Sequence, residues 1–268
     1  GPSVLVTHYS VVIQLCQLVL TERALCQKYD SEDEDADEDD HDFLLLELAA
    51  DTLGVLAQVV KADFVEPFRV LLPEVLKFCK PSRSHADYAT AAGIIAEVSL
   101  GLGPLVAPFL PQVLPVVLAG TGHESASARQ NSSYATGVLI EACPAECAAN
   151  IPAATEALLA NLGHEVPSVV DNSLGALARI LLVTMRAHGA GVDVGRVVAA
   201  MAAKLPIRQD HSEDEVVYKA LMTLLATKNP AAVACLPQLL TVFAAIMPDG
   251  SGVGGPIRAS VVRALEAV

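Results

Sequence analysis

Apolar positions recur along this chain at intervals of three and four residues, in stretches separated by short polar or glycine-bearing turns, and strand-like alternation is nearly absent. The spacing predicts six pairs of helices. Val4–Tyr29 pairs with Phe43–Val60, Phe64–Cys79 with Ala86–Leu100, and Leu105–Leu118 with Ala126–Glu141. Ala145–Leu162 then pairs with Pro167–Arg186, Val194–Lys204 with Glu213–Ala226, and Ala231–Met247 with Ile257–Ala267. In the third of these stretches Phe64, Phe68, Leu71, Leu72, Val75 and Phe78 fall on one helical face, with Pro73 in mid-helix, where a missing N–H predicts a kink. Ser125, Ser168 and Ser212 stand where helix-start caps are expected.

The pairs repeat. Pro73-Glu-Val-Leu76 returns as Pro111-Gln-Val-Leu114 and as Pro237-Gln-Leu-Leu240; the first interval is 38 residues and the second is 126, three units of 42. A period near forty filled by helix pairs is the mark of an all-α α-solenoid, whose units bury their apolar faces only by stacking. Placing Gly93, Gly137 and Ala178 in register puts small residues in one column of the second helices, where neighbours must approach closely. The same register aligns Asp87, Asn131 and Asn172, and sets Glu97 on Glu141.

Composition fits this picture. Hydrophobic residues make up 53% of the chain but aromatics only 4%, and Trp is absent, so the cores are aliphatic. The mean hydropathy of +0.46 suits helices buried on two sides by neighbours. No run of about 18 uncharged apolar residues occurs, and the nearest candidate, Phe43–Val60, contains Glu47 and Asp51. The chain's start lacks the basic patch, apolar core and cleavage site of a signal peptide, and Gly1-Pro2 reads as a remnant of tag removal, leaving 3–268 as the solenoid. Cys16, Cys26, Cys79, Cys143, Cys147 and Cys235 have neither zinc nor redox spacing and are expected as buried free thiols, hence a cytoplasmic or nuclear setting.

Charge is uneven. Ten of the 31 acidic residues lie between Asp30 and Asp42, so the remaining 21 are nearly balanced by 17 bases. This run (Glu32, Asp33, Glu34, Asp35, Asp37, Glu38, Asp39 and Asp40 among its members) is expected to be a disordered loop at 30–42 inside the first unit. Its sign disfavours direct nucleic-acid binding and favours a basic partner. Ser31-Glu-Asp-Glu34 fits an acid-directed phosphorylation site. Nothing points to an enzyme. The seven histidines have no metal-ligand spacing, Gly250-Ser-Gly-Val-Gly-Gly255 follows no strand, and no nucleophile elbow is present. No catalytic residue, metal or cofactor is expected.

These features resemble HEAT repeats, about six of them. Lys204-Leu-Pro-Ile-Arg-Gln-Asp-His-Ser-Glu-Asp-Glu-Val-Val-Tyr218 is similar to the Leu-Pro-Leu-x-x-Asp-x-x-Glu linker of the importin-β (karyopherin-β) family, and Asp171-Asn-Ser-Leu-Gly-Ala-Leu-Ala-Arg179 resembles another stretch of it. The likeness spans nearly all of 3–268 and is closest to the C-terminal region of the importin-4 group. It implies a nuclear import receptor that shuttles between cytoplasm and nucleus. Such receptors bind Lys/Arg-rich cargo segments, with core histones and ribosomal proteins as associated cargo. They touch nucleoporin Phe-Gly repeats and release cargo to Ran-GTP, whose contacts lie largely in N-terminal repeats. In this family the second helices line the concave face. Cargo contacts are then expected from the acid run and from Asp87, Glu97, Asn131, Tyr134, Glu141, Asp171, Asn172, Asp214 and Glu215: amides to hold an extended backbone, carboxylates to take lysines. The polar column can equally cap helices or satisfy backbone groups, and Tyr134 can equally pack in the core. The same fold also serves scaffold subunits of phosphatases or chromatin complexes, an alternative without a transport role.

Overall fold

The computed structural model describes residues 2–27, 38–187, 191–248 and 250–266. Helices α1 (Pro2–Leu20) and α2 (Glu38–Val60) form the first pair, α3 (Val65–Val75) and α4 (His85–Leu102) the second, α5 (Leu110–Gly120) and α6 (Ala126–Ala142) the third. In the fourth, a short α7 (Pro144–Cys147) and α8 (Ile151–Asn161) precede α9 (Pro167–Ala187). The fifth joins α10 (Val194–Ala202) to α11 (Asp214–Ala226), and the sixth joins α12 (Pro230–Ala234) and α13 (Leu236–Ile246) to α14 (Gly255–Glu266). Among the described residues there is no strand.

The second helices stack in series, α2 on α4 on α6 on α9 on α11 on α14, and the first helices back them. This accounts for the high hydropathy. Helix α9 is long and apolar enough to cross a membrane by length and composition, yet 94% of that window is buried inside the protein. The column of small residues includes one close crossing: a Cβ added at Gly137 would lie 2.6 Å from the Ala176 Cα, whereas Gly93 meets only the Asn131 amide at 3.4 Å.

Several expectations shift. Helix α1 stops at Leu20, not Tyr29. Glu22 takes a left-handed φ of 56°, Arg23 N–H reaches Leu18 O at 2.9 Å and Glu22 N–H reaches Val19 O at 3.0 Å, a helix stop normally made with glycine. Lys228, φ 52°, ends α11 in the same way. Pro73 does lie inside α3, which tightens to a 3-10 turn at Leu76–Cys79. Pro111 and Pro237, however, sit in the first turns of α5 and α13, where a proline forfeits no helical hydrogen bond, so they restart the helix rather than kink it. Ser125 occupies its cap position without a side-chain cap bond, Ser168 lies inside α9, and Ser212 lies in a 3-10 turn. The working caps are Ser84, in a reciprocal box with Asp87, and Asp193, Asp210 and Asn229. Of the expected loop at 30–42, residues 38–42 belong to α2, which begins at Glu38, and residues 30–37 lie outside the described residues.

Candidate functional site

Two polar hollows open on the face built by the second helices. The first, ≈ 420 Å³, lies across α2, α4 and α6 and is lined by Glu47, Asp51, Thr90, Glu97, Gln130 and Asn131. The two-residue offset of Glu47 and Asp51 from the buried Ala49 and Leu53 turns these carboxylates away from the core. Among the described residues no Lys, Arg or His pairs with Glu47, Asp51 or Glu97, so the hollow carries uncompensated negative charge. Asn131 Nδ2 donates to Ala89 O at 2.8 Å, which fixes the amide at the wall.

The second hollow, ≈ 210 Å³, lies across α6, α9 and α11, lined by Glu141, Arg179, Ser212, Glu215 and Lys219. Here acids and bases balance. Arg179 is 7% exposed and grips the still more deeply buried Glu213 with both terminal nitrogens, the second at 3.2 Å. Its Nε lies 3.4 Å from a Glu141 oxygen and its Cζ 5.2 Å from the centre of the Tyr134 ring. Burial first, then the nearby Glu97 carboxylate, push the Tyr134 phenol far up. Burial likewise pushes the Glu213 carboxyl up, against the pull of Arg179.

The residues expected to bind cargo therefore divide. Glu97, Asn131, Tyr134, Glu141 and Glu215 line or border the two hollows. Asp87, Asp171, Asn172 and Asp214 are spent internally. Asp87 closes the Ser84 capping box. Asp171, 1% exposed, accepts from the backbone N–H groups of Arg208 (3.3 Å), Gln209 (2.8 Å) and Asp210 (3.0 Å). Asn172, 3% exposed, donates to Ser168 O and to Asp210 Oδ2. Asp214, 2% exposed, meets His211 Nδ1 at 2.9 Å. These four are corrections to the cargo-facing set: a short side chain on a second helix reaches the adjoining linker before it reaches the open face. Glu32, Asp33, Glu34, Asp35 and Asp37, with Ser31, lie outside the described residues; Glu38, Asp39 and Asp40 are on α2. Sequence reasoning missed Glu47, Asp51 and the Arg179–Glu213 pair. Glu47 and Asp51 had been noticed only as breaks in an apolar run.

A third hollow, ≈ 420 Å³, is apolar and lies among the first helices, lined chiefly by Ala107, Leu110, Pro111, Leu114, Pro115 and Leu118. The thiols offer no reactive centre among Cys16, Cys79 and Cys147: burial pushes them up to about 11, about 12 and about 12. Cys26, contrary to expectation, is exposed. Among the described residues no group of three His, Cys, Asp or Glu is arranged to hold a metal.

Comparison with known proteins follows from this geometry. No family model matches the chain. Importin-4 of Mus musculus is 32% identical over 215 residues, covering 78% of this chain and 19% of the relative. The probable importin subunit beta-4 of Schizosaccharomyces pombe is 26% identical over 215 residues, covering 80% of this chain and 20% of the relative. The chain thus spans about a fifth of the length of the curated relatives it matches. Among solved structures, Kap121p bound to Nup53p aligns with 94% of this chain and 26% of its own at a TM-score of 0.63 and 16% identity. A designed armadillo repeat protein aligns with 96% of this chain and 99% of its own at a TM-score of 0.61 and 14% identity. These two likenesses concern the fold.

Proposed function

The chain belongs to the importin-β (karyopherin-β) family, and from that membership we propose that it is a cargo-binding segment of a nuclear import receptor, from the receptor's C-terminal region. An extended Lys/Arg-rich segment, as found in core histones and ribosomal proteins, lies along the second-helix face. The observation that carries this reading is the hollow of Glu47, Asp51 and Glu97. It has room for a long side chain, it holds three carboxylates without a protein cation, and its wall carries the amides of Gln130 and Asn131 to engage a peptide backbone. A lysine entering it exchanges water for carboxylates in a partly enclosed site, where attraction is stronger than on an open surface. The apolar hollow among the first helices takes nucleoporin Phe-Gly segments in the complete receptor. Such a receptor acts in both cytoplasm and nucleus.

The test is a titration of this chain with a labelled Lys-rich histone-tail peptide at moderate salt. Saturable binding is expected, stronger than that of a scrambled peptide of equal charge, and weakened about tenfold or more by Glu97→Lys, which places a cation in the hollow. Equal affinity for both peptides, or indifference to Glu97→Lys, would sink the reading.

A further inference from the structure

One side chain ties the second hollow together. Arg179, on α9, touches Glu213 before α11 and Glu141 and Tyr134 on α6. A single guanidinium thus reaches across three successive units. The surrounding residues are shaped for it. A Cβ at Gly175 would fall on the Glu213 carboxylate, and one at Gly137 would come within 3.3 Å of the Arg179 Cδ and 2.6 Å of the α9 backbone. Glycines at these two places let α9 close on α6 and let Glu213 close on α9. With 7% exposure, Arg179 has little surface to offer a ligand, and its planar fork is committed to two carboxylates.

We propose that Arg179 is the positioning residue of the second-helix face, setting Tyr134 and Glu141 on α6 while locking the fourth unit to the fifth. This rests on the reading of that face as a site for basic segments. In a variant of unchanged net charge, a simple charge effect predicts unchanged affinity for a basic peptide, and loss of a positioning group predicts weaker binding.

The single change Arg179→Met leaves Glu213 buried and unpaired and can prevent folding. The decisive variant is therefore Arg179→Met with Glu213→Leu, which removes both charges, keeps net charge constant and fills the space with apolar groups. Two quantities are read on this variant and on the unaltered chain, after matching their melting temperatures: affinity for the Lys-rich peptide, and amide hydrogen exchange over 131–141 without ligand. Expected are about tenfold weaker binding and faster exchange around Tyr134. Unchanged binding overturns the proposal, whatever the exchange shows. Weaker binding with unchanged exchange also overturns it, because Arg179 would then act by direct contact. If the unaltered chain binds no basic peptide yet the variant exchanges faster, the positioning role stands and the proposed function falls. If neither the unaltered chain binds nor the variant's exchange changes, both fall.

Discussion

Asp171 shows what a buried carboxylate does in this protein. It accepts three backbone N–H groups from the segment that crosses from α10 to α11, and so pins a linker that has no regular structure of its own to satisfy it. Asp171→Ala strands those donors, and the expected loss is about 2–4 kcal/mol, read as a lower urea midpoint. Asp214 is the buried carboxylate that couples stability to pH. Burial first, against the pull of His211, pushes its carboxyl above the ordinary 3.8, with Asp171 and Asp210 adding to the rise. A raised folded value means that the native state binds the proton more tightly than the unfolded chain. Through this group stability therefore increases as pH falls from the folded value towards 3.8, and that gain is absent at neutral pH. The unaltered protein should gain on Asp214→Asn when denaturant midpoints are compared from neutral pH down through that window. A difference that stays flat would contradict the burial argument.

At the level of helices, close approach is set by residues that lack a side chain. Gly175→Ala drives a methyl into the Glu213 carboxylate and should cost about 2–3 kcal/mol, whereas Gly122→Ala, whose added Cβ meets only Ala119 O at 3.8 Å, should stay within about 0.5 kcal/mol. Urea denaturation of the two variants checks the contrast. The helix pairs were legible because each unit must bury one apolar face, and that requirement writes a three-and-four spacing into every element. Their ends were less legible. Glu22 and Lys228 adopt the left-handed turn usually left to glycine, and the working caps at Asp193, Asp210 and Asn229 lack the apolar-run context that made Ser125 and Ser168 attractive. The site was legible in part. Register alone puts Glu97 and Glu141 at equivalent positions of the second helices, but register cannot say whether Asn172 points to the open face or to the neighbouring linker. Arg179 and Glu213 look like surface residues in a sequence. Their one signal was Gly175, four residues before Arg179, a cavity in a helix that otherwise fills its space.

For the whole molecule, equivalent positions of successive units are unequally buried. With Gly54 in register with Gly93, Val55 and Val59 correspond to Ile94 and Val98, yet the first two are 54% and 42% exposed and the others 0%. Ile94→Ala should therefore cost about 2–4 kcal/mol and Val55→Ala less than about 1 kcal/mol, measured by urea unfolding. Charge is unequal as well, and in the same unit. The run from Asp30 to Asp42 carries ten of the 31 acids, and deleting it moves the net charge from −14 to −4. On the proposed reading, the acidic run and the acidic hollow act at two ranges. The hollow then works at contact distance and is little screened, and the run works through the solvent over roughly a Debye length, about 10 Å at 0.1 M salt. Deletion should therefore slow association with a Lys-rich peptide about tenfold or more at low salt and leave the dissociation rate nearly unchanged. The rates with and without the run should converge as salt rises towards 1 M, where the screening length is about 3 Å. Glu97→Lys should show the reverse pattern, faster dissociation that persists at high salt. Stopped-flow mixing across a salt series separates the two. If deletion instead raises the dissociation rate at every salt concentration, the acid run is part of the binding surface itself and the division between steering and contact is wrong.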